Sequence, residues 1–119
     1  MIQFTLEVLP PSANSLFPSG RNNRRFKSSA YVLFQELMRW DKGVREAKPR
    51  KPLTGKLLVQ YNFYRKDKRR FDISNLEKAL SDTLTDLGFW EDDSQICDLT
   101  LVKFQPAKEN MTEVIISEL

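Results

Sequence analysis

Ile2, Phe4, Leu6 and Val8 alternate with Gln3, Thr5 and Glu7, the period of two that marks a half-buried strand. Pro10 and Pro11 end it, because proline cannot donate to a ladder. Residues 12–27, rich in Ser, Asn, Pro, Gly and Arg, predict an exposed loop with little secondary structure. A loop of that length in so short a chain points to function or disorder. Ser28 or Ser29 then caps a helix running to about residue 47. Its broad apolar face is supplied by Tyr31, Phe34, Met38 and Trp40 with Leu33, Leu37 and Val44. Alternation returns over residues 53–64, with Leu57, Val59, Tyr61 and Phe63 on one side. Ser74, Asn75, Leu76 and Glu77 fit a capping box. Leu76, Leu80, Leu84 and Leu87 follow at helical spacing until Gly88, a C-cap residue. Residues 95–104 and 112–118 read as two more strands, joined into a hairpin by a turn over 106–110.

The order strand, helix, strand, helix, strand, strand predicts an α/β (α+β) fold with a single mixed β-sheet and helices packed on it. Its strand-helix-strand units should cross over right-handed. A length of 119 residues suits one domain, residues 1–119, with one core. The 40% of hydrophobic residues fall in periodic runs, which argues against disorder, and none approaches the roughly 20 apolar residues of a membrane span. A cytoplasmic protein without a signal peptide is expected. Cys97 is the only cysteine, so no intrachain disulfide can form. The absence of histidine removes the commonest general base and metal ligand. Hydrolytic chemistry would then rest on carboxylates, lysine, a hydroxyl or a metal-bound water, and oxygen ligands favour Mg²⁺ or Mn²⁺ over zinc.

The net charge of +3 is unevenly placed. Arg21, Arg24, Arg25 and Lys27 form one basic cluster; Arg65, Lys66, Lys68, Arg69 and Arg70 form a second that runs directly into Asp72. One such cluster is often only a solvated loop, but two suggest a phosphate-backbone binder. Around the Leu76 helix the chain sets Asp72 just before the first turn, Lys78 one turn inside, and Glu91, Asp92 and Asp93 beyond the far end. Asp72 and Asp93 could share a hard divalent cation, with Lys78 stabilising developing negative charge. Each placement also has an ordinary structural use, as a helix flank, a turn or a surface lysine. The helix ends lie roughly 20 Å apart, so the two carboxylates meet only if the chain after Gly88 folds back along the helix. Phe89 and Trp90 read as core or interface residues, whereas Phe17 and Phe26 are better placed to touch a base.

Four stretches taken together resemble the RusA family of Holliday-junction resolvases: Pro10, Pro11, Ser12, Ala13 and Asn14; the basic run into Asp72; residues 75–79; and Gly88, Phe89, Trp90, Glu91, Asp92 and Asp93. The resemblance implies a homodimeric, Mg²⁺- or Mn²⁺-dependent endodeoxyribonuclease of bacterial or phage type that nicks four-way DNA junctions symmetrically. It implies catalytic roles for Asp72, Lys78 and Asp93 and metal ligation by Asp72 and Asp93; the expected DNA contacts are Asn14 and the cationic residues of the two clusters, Arg21, Arg24, Arg25, Lys27, Lys66, Lys68, Arg69 and Arg70. Ser74 stands where the family carries another aspartate. A neutral serine oxygen binds a divalent cation far less strongly than a carboxylate. Three readings of Ser74 stay open at this point: a natural loss that leaves a junction-binding protein with little cleavage, compensation by water or by Asp92, or an introduced change.

Overall fold

A computed structural model describes residues 1–17 and 26–119. The first strand, β1 (Ile2–Leu6), buries Phe4 and Leu6, as its alternation requires. Ser28 caps α1 (Ser29–Trp40) by accepting the Tyr31 N–H at 3.1 Å. The helix expected to reach residue 47 is broken at Asp41. This residue ends α1 in an extended conformation, and its side chain accepts the Val44 N–H at 3.0 Å to open α2 (Lys42–Ala47). A short acidic side chain that captures a backbone N–H competes with helix continuation. The apolar face of α1 is also narrower than expected. Tyr31, Phe34 and Met38 are buried, while Leu33 and Trp40 are 69% and 66% exposed, on another side of the helix.

Strand β2 (Leu57–Tyr64) buries Leu57, Val59, Tyr61 and Phe63. It begins at Leu57 rather than near residue 53, since Leu53 instead bridges Trp90. The next helix, α3 (Ser74–Leu87), has no capping box: Ile73 is the helical N-cap and no side chain caps it. The first turn closes on backbone bonds, from Asn75 N–H to the Asp72 carbonyl and from Leu76 N–H to the Ile73 carbonyl, each 3.0 Å. Glu77 is drawn forward to accept the Ser81 hydroxyl at 2.6 Å, so it cannot reach back to a cap. Gly88 terminates α3 with φ 89°, a conformation that disfavours any side chain.

The sheet is completed by β3 (Ile96–Phe104) and β4 (Met111–Glu118), in the order β1-β4-β2-β3. The expected final hairpin does not form. Strand β3 pairs parallel with β2 at the sheet edge, whereas β4 runs antiparallel between β1 and β2. The β2-α3-β3 crossover makes β3 a neighbour of β2, and the returning chain finds both β1 and β2 available to satisfy its two sides. Thr112, Val114 and Ile116 thereby become fully enclosed. One core joins Val114 and Ile116 to Phe34, Met38, Phe63, Leu80, Leu84, Phe89 and Trp90. Among the described residues, no helix is long and apolar enough to cross a membrane.

Candidate active site

Strand β2 delivers the second basic cluster at its end, and Lys66, Lys68, Arg69 and Arg70 are exposed there. Phe71 turns inward between two cations, with the Arg65 guanidinium carbon 5.2 Å and the Lys103 nitrogen 4.7 Å from its ring centre. Phe71 anchors the chain, so the next residue, Asp72, is held at the start of α3, exposed to solvent. A cleft of about 400 Å³ opens here, lined by Asp72 together with Ser12, Arg65, Arg70 and Asn75. Ser12 arrives because residues 12–16 fold back over α3, with Leu16 buried against Tyr31 and Ala79. Asn14 lies exposed in the short 3₁₀ turn Ala13–Ser15.

Asp93 stands at the other end of α3. Its carboxylate accepts the Trp90 indole N–H at 2.9 Å and rests against the Thr85 hydroxyl. Trp90 is fully buried, so this carboxylate is oriented from within the core. A second cleft of about 320 Å³ gathers Asp93 with Asp82, Asp86, Asp92, Tyr31 and Lys27. Asp92 is the N-cap of the 3₁₀ turn Asp93–Gln95, and the Ser94 N–H holds its carboxyl below the usual carboxylate range. Burial, then the charges of Asp82 and Asp86, push the Tyr31 hydroxyl up to about 12. A folded value above the unfolded one of about 10 means that stability is retained below that pH and lost as pH rises towards 12. Tyr31→Phe should flatten this alkaline loss, as followed by urea unfolding at pH 9 and pH 11.

The fold-back that would unite Asp72 and Asp93 is only partial. Asp93 returns as far as Thr85, but Thr85 lies about 16 Å along the helix axis from Ser74, taking 1.5 Å per residue. The two aspartates line separate clefts. Four aspartates line the Asp93 cleft, but among the described residues no three Asp, Glu or Cys side chains converge as a metal-ligand set. Between the clefts, Ser74, Lys78 and Asp82 share one ridge of α3 at spacings of four, and Lys78 pairs with Asp82 at 3.1 Å. Arg21, Arg24 and Arg25 lie outside the described residues. Lys27 donates to Gln35 at 2.9 Å and sits 5.4 Å from the Tyr31 ring centre. Phe17 packs edge-on to Tyr31, while Phe26 is 51% exposed.

Sequence reasoning missed Ser12, Asn75, Asp82, Asp86 and the Thr85–Trp90 support of Asp93. Asp82 and Asp86 carried a signal, since i,i+4 carboxylates must share a helix face. The model of the family described as Endodeoxyribonuclease RusA matches residues 8–117. The chain belongs to the RusA family. A crossover junction endodeoxyribonuclease of Enterobacteria phage 82 is 31% identical over 114 residues, covering 92% of this chain and 89% of that protein. Proteins of the same description from Escherichia coli K12 and Shigella sonnei are each 45% identical over 53 residues, or 44% of either chain. Membership of the RusA family agrees with the mixed four-stranded sheet and its helices.

Proposed function

We propose that this RusA-family chain is a crossover junction endodeoxyribonuclease, with residues 1–119 acting as one domain, that cuts four-way DNA junctions as a cytoplasmic homodimer. The observation that carries the reading is the exposed basic segment that leads without interruption into Asp72 and its cleft. Lys66, Lys68, Arg69 and Arg70 suit backbone phosphates. Arg70, with Asn75 and Ser12, would hold the scissile phosphate beside Asp72, and the Asp72 carboxylate would take a proton from the attacking water. The expected test is a labelled four-way junction incubated with Mg²⁺ or Mn²⁺. Paired symmetric nicks support the reading, and DNA that is retarded yet intact overturns it.

The resemblance to metal-dependent nucleases must be squared with donors that do not assemble in one chain. A two-fold dimer offers an arrangement that a monomer lacks, with Asp72 of one protomer brought beside Asp93 of the other. Magnesium or manganese held there would supply Lewis-acid charge at the phosphate.

Ser74 bears on how fast such a chain cuts. Ser74 is exposed in the first turn of α3, where an aspartate would be tolerated sterically and would sit favourably at the positive helix end. Ser74→Asp should therefore raise cleavage by at least about tenfold, the low end of the effect of metal-site substitutions. An unchanged rate in a single-turnover assay would show that the missing carboxylate is not what limits the chemistry.

A further inference from the structure

The basic segment of residues 65–70 has an electrostatic problem. Arg65, Lys66, Lys68, Arg69 and Arg70 repel one another, with Asp67 the single anion among them, and such a segment ordinarily spreads into an open loop. Here it is tied down by the chain that leaves the neighbouring strand, β3, at the same end of the sheet. The Gln105 amide donates to two carbonyls at once, that of Asp67 at 2.9 Å and that of Arg69 at 2.6 Å. Asp67 in turn accepts from the Arg65 side chain at 2.8 Å and from the Arg69 N–H at 2.9 Å. Asn110 accepts the Lys66 N–H at 2.8 Å, so the chain joining β3 to β4 grips the segment along its length. The stacked rings of Tyr64 and Phe104, 4.5 Å apart, fix the base from which both segments leave the sheet.

Apart from the Arg65–Asp67 pair, the bonds consume backbone groups and spare the cations. Among the described residues, Lys66, Lys68, Arg69 and Arg70 enter no ion pair. A structure that merely needed to neutralise this loop would have used its side chains; this one fixes the backbone and leaves four charges facing outward.

We propose that Gln105 is a positioning residue for DNA, holding residues 66–70 in the shape that meets successive backbone phosphates and so presents the strand to Asp72. The proposal rests on the reading of this segment as the DNA-contacting surface. Gln105 touches no reacting atom; it acts through the carbonyls of Asp67 and Arg69. Pre-organising the cations lowers the ordering cost otherwise incurred on binding.

The test uses the full chain and a fluorescent four-way DNA junction in excess chelator. Gln105→Met keeps side-chain length and net charge but removes both donors. It should weaken binding about tenfold at 0.1 M salt and make the dependence of log affinity on log salt shallower by about one phosphate contact. The melting temperature should stay within about 2 °C, because the lost bonds are solvent-exposed. A merely structural role would lower melting temperature and leave the salt slope intact, and that result overturns the proposal. Lys68→Gln with Arg69→Gln supplies the second arm. If this pair weakens binding and Gln105→Met adds nothing to it, the amide acts through those cations. If the pair weakens binding but Gln105→Met alone does not, the positioning role falls and the DNA-contacting surface stands. If the pair itself leaves binding unchanged, the DNA-contacting reading falls too.

Discussion

Two inactive proteins, Asp72→Asn and Asp93→Asn, should recover junction cutting when mixed and allowed to exchange subunits. Separately, each is expected to lose about 10²–10⁴-fold in cleavage, the scale of losing a proton-transfer group. The recovery would follow from the proposed dimer, and what motivates it is that Asp72 and Asp93 line different clefts, with Asp93 tethered to Thr85 far along α3 from Asp72. If one protomer's Asp72 works beside the other's Asp93, a mixed dimer holds one site with both aspartates and one with neither. Random exchange then restores roughly a quarter of all sites, as counted for a two-fold dimer. Because only one site per mixed dimer is intact, the products should be single nicks instead of paired ones. No recovery, despite subunit exchange verified by a tagged protomer, would place each aspartate's work within its own chain.

The second large effect concerns Trp90. Its ring is fully buried at the end of α3, its backbone bridges Leu53 on the approach to β2, and its indole N–H reaches both Thr85 and Asp93. Trp90→Ala should cost about 3–5 kcal/mol of stability, read as a lower urea midpoint. That is a large fraction of the roughly 5–15 kcal/mol total of a small domain. Trp90→Phe separates packing from polarity. It keeps most of the ring, should cost about 1–3 kcal/mol by leaving partners of the indole unsatisfied, and should reduce cleavage because Asp93 loses its buried donor. Wild-type cleavage by a well-folded Trp90→Phe protein would mean that orientation of Asp93 by the indole is dispensable.

Both expectations depend on details with different visibility in the chain. The strands announced themselves through alternation, and α3 through leucines at 76, 80, 84 and 87 with Gly88 after them, because burial on one face imposes that period directly. The capping box at Ser74 was misleading. Its residue types were right, yet Glu77 found a closer partner in Ser81 and the first turn closed on its own backbone. Asp41 was equally misleading in the other direction, since one acidic residue inside an apolar-periodic stretch gives no warning that it will cap a new helix. Leu33 and Trp40 belong to the apolar face by helical spacing yet lie exposed, because spacing alone does not say which of two apolar stripes meets the sheet.

The candidate site divides along the same line. The basic run into Asp72, and its place at the mouth of a helix, follow from adjacency in the chain, and adjacency survives folding. The same holds for the alternating strands and the terminator at Gly88, whose requirements are local. Which strand neighbours which, by contrast, was settled only when β4 found two open edges at once. The separation of Asp72 from Asp93, the hold of Trp90 on Asp93 and the grip of Gln105 on a distant basic loop are of that second kind. They join residues whose proximity comes from the return path of the backbone, and periodicity carries no information about distances between segments that it describes one at a time.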